Sequence, residues 1–281
     1  MKNKNHLIIW APFILSALYA CETGQSDSKQ PNSSLASEQT LQSCDLLPLP
    51  AGKDMTVSLL DSQKTASTGE VTLDYFSLGA TGAVYRDKQS EFVYKFPFRT
   101  VELSEEALSS QDSQIRNMIE RSRESYQYEL DLHIQFKQNT ASGVIDGDGA
   151  TSLSSYIVPA ELVTIQYGGE LIEGLKKPFV DGRPLAKYSE DQIRGDQILF
   201  DLTKNLYDAY RKSVLEEGLG VRDLHGNNIL YDAKNGSLSI IDGDFEGKID
   251  EWGSQLLRTI ETYRFNSFCE AQSWCSIHNV Q

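Results

Sequence analysis

Two short segments in the second half of the chain carry side chains that could act on one substrate. Asp223 is followed five residues later by Asn228, between a predicted helix and a short predicted strand. Asp242 lies fourteen residues beyond Asn228 and ends the strand-like run 238–241. A carboxylate at the end of a buried strand is costly unless a cation neutralises it. The spacing therefore indicates a cation site at Asp242, with Asp244 as a second candidate ligand.

The first half of the chain carries a glycine pair and a lysine. Gly79 and Gly82 are three residues apart between two predicted strands, Val84 follows Gly82, and Lys95 comes eleven residues after Val84. Lys95 stands in the apolar run Phe92–Phe96, where its charge needs a partner. A glycine pair alone is usually a turn and a strand lysine usually faces solvent, so the prediction depends on the combination.

The order of these elements over residues 71–247 resembles the protein-kinase-like superfamily. The segment 223–230, Asp-Leu-His-Gly-Asn-Asn-Ile-Leu, is most similar to the catalytic loop of bacterial atypical and small-molecule kinases. The resemblance implies ATP and Mg²⁺ as cofactors, and transfer of the γ-phosphoryl group to a hydroxyl.

The resemblance also implies a role for each residue. Asp223 would deprotonate the acceptor, and the metal ligands would be Asn228 and Asp242, with Asp244 as a second contact. Lys95 would hold the phosphates, paired with Glu129 or, as the alternative, Glu124. Asp181 would approach the ribose or simply form a turn. The implied nucleotide-binding set is Gly79, Thr81, Gly82, Val84, Lys95 and Asp181.

The chain departs from the family pattern in three places. Val221 stands where the catalytic loop usually has histidine, and Ser77 stands where the first glycine of the phosphate loop is usual. Only 34 residues follow Gly247, without an Ala-Pro-Glu motif, which is too few for a full activation segment and later helices. The acceptor, protein or small molecule, therefore stays open.

The predicted fold class is α+β, with the two-lobed protein-kinase-like fold that the resemblance implies. A β-rich N-lobe with one helix would cover about 55–180, and a short, mainly helical C-lobe about 181–281. Strand-like runs at 57–60, 71–76, 84–85 and 92–94 include a hairpin across 87–90. Apolar positions recur at helical spacing from Ile115 to His133 and, after an N-cap at Ser189, from Ile193 to Val214. A hairpin at 228–241 and a helix at 251–263 complete the chain.

The net charge and the motif content of the chain exclude several classes of function. The 281 residues include 40 acidic and 26 basic side chains, a net charge of −14. This charge excludes nucleic acid as a main partner and electrostatic docking on anionic lipid. The histidines show no metal-ligand spacing, and no Gly-x-Ser-x-Gly or His-Glu-x-x-His hydrolase motif is present.

The N-terminus reads as an export signal. Two lysines precede the uncharged run Leu7–Ala20, which is short for a spanning helix of ~20 residues but has signal-peptide length. Leu18-Tyr19-Ala20-Cys21 resembles a bacterial lipobox, which predicts lipidation at Cys21 after removal of residues 1–20; a generic signal peptide with an incidental cysteine is the alternative. Residues 21–54 then form a flexible tether, rich in polar residues and proline. The expected location is the cell envelope, anchored by lipid and facing the periplasm or exterior.

Export permits disulfides, and Cys269 and Cys275 are the favoured pair because only six positions separate them. Cys44 is then left over, although its pairing with either cysteine stays open. Export also favours a second function hypothesis, because ATP is scarce in the bacterial periplasm. The chain could be an inert pseudokinase that serves as an envelope binding module, or an effector that acts where ATP is present.

Overall fold

The structure is a computed structural model that describes residues 41–52, 54–79, 82–99, 103–124, 153–216, 219–222, 224–242, 244–248 and 255–279. The chain divides into two compact units. Unit 1 comprises Met1–Gln127 and Glu161–Lys176, and unit 2 comprises Tyr128–Ala160 and Lys177–Gln281. Within the described residues, no helix combines the length and apolar character that crossing a bilayer requires.

Unit 1 is built on a closed barrel of six strands. The strands are β1 (Met55–Leu60), β2 (Ser67–Leu78), β3 (Gly82–Asp87), β4 (Phe92–Pro97), β5 (Glu161–Tyr167) and β6 (Glu170–Pro178). Their order around the barrel is β1-β2-β3-β4-β6-β5. The predicted hairpin of β3 and β4 is confirmed, with Tyr85 opposite Tyr94. Large side chains fill the interior, among them Leu73, Tyr85, Phe96 and Ile165.

The closed barrel shows that the predicted two-lobed protein-kinase-like fold is wrong, although the α+β class holds. β1 pairs antiparallel with β2 on one side and with β5 on the other, where Ser58 lies opposite Gln166 and Leu59 opposite Ile165. The β1–β5 pair closes the sheet on itself. These partners are about a hundred residues apart in the sequence, and local patterns carry no signal for such a distant pairing.

A strap of residues 41–49 packs onto unit 1, so the predicted tether through residue 54 is too long. The strap contains a 3₁₀ turn, Ser43–Leu46, and buries Leu46 and Leu49 completely. The Tyr85 hydroxyl donates to the Leu49 carbonyl oxygen at 2.5 Å and accepts from the Leu49 N–H at 3.2 Å. Burial raises the pKa of Tyr85 well above its usual value.

Two helices cover the strap. α1 (Glu105–Ser109) begins at an N-cap, Ser104, whose hydroxyl accepts from the Ala107 N–H at 3.2 Å. α2 (Ser113–Glu124) places Ile115, Met118 and Ile119 in one apolar cluster with Leu46 of the strap. α2 matches the start of the predicted helix, whose continuation to His133 falls outside the described residues.

The main helix of unit 2 is interrupted. α3 (Glu190–Gly195) has the predicted N-cap at Ser189, with a capping box to Gln192. α4 (Gln197–Arg211) is separate, because Asp196 leaves helical geometry and its carboxylate accepts from the Leu199 N–H at 3.1 Å. A π-helical turn, Lys212–Glu216, follows. The sequence predicted one helix here because the apolar period continues across Asp196.

Short strands and the C-terminal helices complete unit 2. β7 (Arg183–Pro184), β9 (Ile229–Asp232) and β10 (Ser237–Ile240) form a sheet in the order β10-β9-β7, which includes the predicted hairpin. β8 (Leu219–Arg222) pairs with β11 (Asp244–Lys248). α5 (Gln255–Glu270) ends later than predicted, and α6 is Ser273–Ser276.

The cysteines of the described residues are all oxidised. Cys269 and Cys275 form a disulfide, which is the pair that the sequence favoured. Cys44 is also disulfide-bonded, so it is not left over. The Cys269–Cys275 bridge ties the end of α5 to α6, where Trp274 is completely buried.

We predict that the strap contributes to the stability of unit 1. Leu49→Ala removes a fully buried side chain, and we expect a loss of about 2–5 kcal/mol in the free energy of unfolding. Leu162→Ala is the matched control, because Leu162 is 56% exposed and should cost under about 0.5 kcal/mol. Urea denaturation of both variants measures the difference. Equal midpoints would show that residues 41–49 are a tether after all.

Candidate functional site

Lys95 is a buried lysine on the outer face of the barrel. It lies between Tyr94 and Phe96, which both face the barrel interior, so alternation along β4 turns Lys95 outward. Its cross-strand partner on β3 is Val84, as the pairing register shows. Only 6% of Lys95 is exposed. Lys95 is therefore shielded from solvent, and its predicted role in holding phosphates stays a prediction.

The glycine turn lies beside the Lys95 side chain. The Gly79 N–H donates to the Gly82 carbonyl oxygen at 2.7 Å, which closes the turn between β2 and β3. A Cβ added to Gly79 would lie 3.6 Å from Lys95 Cε and 3.3 Å from the Gly82 oxygen. Unit 1 therefore brings Gly79, Gly82, Val84 and Lys95 together, while Thr81 falls outside the described residues.

Gly82 has a packing role that sequence reasoning missed. A Cβ at Gly82 would lie 2.1 Å from the Phe96 carbonyl oxygen, far inside any allowed contact. Gly174 on β6 meets the same strand, where an added Cβ would lie 2.6 Å from the Lys95 carbonyl oxygen. β4 is therefore approached by a glycine from both neighbouring strands.

Unit 2 brings Asn228 and Asp242 to the same end of the β9–β10 hairpin. The Ile241 N–H donates to the Asn228 carbonyl oxygen at 2.9 Å, which continues the ladder one step beyond the Ile229–Ile240 pair. Asp242 is the next residue, and both Asn228 and Asp242 are half-buried. The backbones of Asn228 and Asp242, fourteen positions apart in the sequence, are thus brought to adjacent places at the end of the hairpin.

Asn228 and Asp242 fit the ligand preferences of Mg²⁺. This ion takes oxygen ligands and is usually held by one or two carboxylates together with substrate phosphates and waters. Among the described residues, no cluster of three or more His, Cys, Asp or Glu side chains could form an all-protein cage. Asp244 begins β11, where its register partner is Arg222 of β8. The described geometry thus associates Asp242 with Asn228.

The loop before Asn228 is anchored at its glycine. The Gly226 N–H donates to Gln272 Oε1 at 3.0 Å, and its carbonyl oxygen accepts from the Ala186 N–H at 3.0 Å. A Cβ at Gly226 would lie 2.6 Å from the Ala186 nitrogen, so glycine is needed here. Leu224 is fully buried on the other side of His225. Asp223 itself lies outside the described residues.

Lys177 is a candidate site residue that sequence reasoning missed. It is only 6% exposed, and its Nζ donates to the Ile241 carbonyl oxygen at 3.1 Å. The residue that follows Ile241 is Asp242. Its strand, β6, contains three apolar and four charged residues, so the sequence carries no signal that distinguishes Lys177 from Lys176.

Among the described residues, Asp181 is not brought into these groups. Asp181 is exposed and forms an ion pair with Lys234 at 3.0 Å, an interaction that raises the pKa of Lys234. Such a surface pair adds little stability. Glu129 and Cys21 fall outside the described residues.

No protein-family model matches the chain, and no curated protein matches it. Function must therefore be argued from the side chains themselves.

We predict that the two glycines of the turn behave differently. Gly82→Ala forces its methyl group into the β4 backbone, so we expect a loss of at least about 4 kcal/mol in the free energy of unfolding, or no folded protein. Gly79→Ala adds a methyl group 3.3 Å from the Gly82 oxygen, a tight contact that a shift of a few tenths of an ångström relieves, so we expect a change within about 1 kcal/mol and weaker binding of a nucleotide triphosphate. Urea denaturation and nucleotide titration test the two effects.

Gly195→Ala is the matched control, since no atom lies within 4 Å of its added Cβ. Its stability and its nucleotide binding should both match wild type. Comparable destabilisation by the substitutions at Gly79 and Gly82 would contradict the assignment of packing to Gly82 alone.

Proposed function

We propose that this chain is an ATP-dependent phosphotransferase that moves the γ-phosphoryl group to a hydroxyl of a protein or small molecule. The observation that carries the proposal is the hydrogen bond from Ile241 to Asn228, because it makes neighbours of Asn228 and Asp242, the two metal ligands that the sequence predicts. Because unit 1 is a closed barrel and not the predicted kinase-like lobe, the fold does not support this proposal. The proposal rests instead on the residue types and on what each unit brings together.

Unit 1 supplies the groups for phosphate. The Lys95 ammonium would provide positive charge, and the absence of a Cβ at Gly79 leaves space beside the Lys95 side chain. Charge-assisted hydrogen bonds from an ammonium group to phosphate are roughly twice as strong as neutral ones. Lys95 already has a partner in the structure, and a bound phosphate would add a second, anionic one.

Unit 2 supplies the groups for metal and acceptor. Asn228 and Asp242 would hold Mg²⁺, which neutralises charge on the phosphate oxygens when bound. Asp223 precedes Asn228 by five residues on the loop that Gly226 anchors. In the transfer, the Asp223 carboxylate accepts the hydroxyl proton, the hydroxyl oxygen bonds to the γ-phosphorus, and the bond to the β-phosphate oxygen breaks to release ADP.

We predict that Asp223→Ala separates binding from transfer. Asp223 acts on the acceptor only, so its loss should lower radiolabel transfer from ATP by orders of magnitude and leave Mg·ATP affinity nearly unchanged. Lys95→Ala should weaken nucleotide binding, and Asp242→Asn should abolish the Mg²⁺-dependent part of it, with a smaller effect for Asp244→Asn. A thermal-shift titration measures binding, because ligand at 100 times Kd stabilises by ~2.7 kcal/mol.

The matched control is Asp201→Asn, an exposed carboxylate of α4, which should retain wild-type binding and transfer. Transfer that survives Asp223→Ala undiminished would overturn the catalytic assignment. Nucleotide binding without transfer to any acceptor would favour the inert binding module. A larger effect of Asp244→Asn than of Asp242→Asn would move the metal assignment by two residues.

We propose further that the chain is exported and lipidated at Cys21, as its lipobox-like segment 18–21 indicates. A lipid on Cys21 would hold the mature chain at a membrane surface.

We predict that metabolic labelling with a palmitate analogue tags the wild type and not Cys21→Ser. Equal labelling of both proteins would contradict lipidation and leave an ordinary secretory signal.

A further inference from the structure

Lys177 holds the peptide group that precedes the candidate metal ligand. The Ile241 N–H donates to the Asn228 carbonyl oxygen at 2.9 Å, and the Ile241 carbonyl oxygen accepts from Lys177 Nζ at 3.1 Å. Both polar groups of Ile241 are therefore used, one by the backbone and one by a side chain. Asp242 is bonded directly to this fixed peptide group, so its position depends on both hydrogen bonds.

The burial of Lys177 is energetically costly. Its exposure is 6%, whereas the preceding residue, Lys176, is partly exposed, with its Nζ 4.0 Å from the centre of the Phe92 ring and 3.8 Å from Glu161 Oε2. Lysine is almost never fully buried unless it is paired, because the ammonium group loses its hydration. Lys177 has further interactions besides its bond to Ile241, so its ammonium group is held in a fixed place next to the residue that precedes Asp242.

From this geometry we infer that Lys177 is a positioning residue for the Mg²⁺ site, an inference that rests on the proposed function. Its ammonium group fixes the Ile241 carbonyl and so orients Asp242 towards the ion that Asn228 also contacts. Groups that orient the ligands of a metal from outside are worth about 10–100-fold in metal affinity.

The charge of Lys177 opposes the binding of Mg²⁺. A positive charge near a divalent cation repels it, so removing the ammonium group could strengthen binding. Lys177 has interactions in addition to its bond to Ile241, and buried charges are compensated by their partners. Compensation reduces the field of Lys177 at the ion, whereas the hydrogen bond to Ile241 acts locally. We therefore expect positioning to outweigh repulsion.

The test is a Mg²⁺ titration of the full mature chain at fixed ATP, followed by thermal shift, for wild type, Lys177→Met and Lys177→Arg. Lys177→Met should raise the half-saturating Mg²⁺ concentration about tenfold, and Lys177→Arg, which keeps a donor, should restore most of the difference. Mn²⁺ binding without nucleotide, measured by electron paramagnetic resonance, gives a second readout that is independent of activity. A purely structural role would lower the melting temperature without moving either metal midpoint.

Lys176→Met is the matched control, since it is the same chemical change one residue away, and its metal midpoints should equal those of wild type. An unchanged midpoint in Lys177→Met would overturn the inference, and so would a lower one, which would show that the ammonium group opposes the ion. If wild type shows no response to Mg·ATP or Mn²⁺, the proposed function fails and the inference with it. If wild type responds to Mg²⁺ and Lys177→Met responds equally, the inference about Lys177 fails while the proposed function stands.

Discussion

The close approach of three strands at β4 is the constraint on which unit 1 depends. Gly82 of β3 and Gly174 of β6 both pack against the β4 backbone, at distances that no side chain would permit. With both edges of β4 fixed, Tyr94 and Phe96 fill the barrel interior and Lys95 can only face outward. The buried position of Lys95 is thus a consequence of how the barrel is packed, and the glycine turn beside it is closed by the same Gly82.

In unit 2, hydrogen bonds rather than glycine packing hold the predicted residues in place. Its hairpin is held by ordinary ladder hydrogen bonds as far as the Ile229–Ile240 pair, and beyond that point a single further backbone bond places Asn228 next to Asp242. The side chain of Lys177 then secures the remaining carbonyl of Ile241. In each unit, a lysine that is 6% exposed lies beside the residues for which chemistry was predicted. Both lysines lose hydration on burial, a cost that their interactions in the structure offset.

The sequence predicted the features that are specified by nearby residues and missed the contacts between residues far apart in the chain. The Ser189 cap, the β3–β4 hairpin and the β9–β10 hairpin were all predicted correctly, because capping and turn signals lie within a few residues of the structure that they specify. Barrel closure, the packing of the strap and the contact from Lys177 to Ile241 were missed. Those contacts join residues separated by about 36 to 107 positions, over which local propensity and periodicity carry no information.

The fold and the chemistry of this chain are therefore separate conclusions with separate support. Barrel closure depends on β1 pairing with β5, and neither strand contributes a predicted site residue. The neighbourhood of Gly79 and Lys95 depends on β3 and β4, and that of Asn228 and Asp242 on β9 and β10. The β1–β5 pairing was not predicted, but this error does not affect either group of residues. A functional site requires only that its own side chains be held in place. For the same reason, each hairpin keeps its own predicted residues together, whether or not the strands around it are arranged as the sequence predicted.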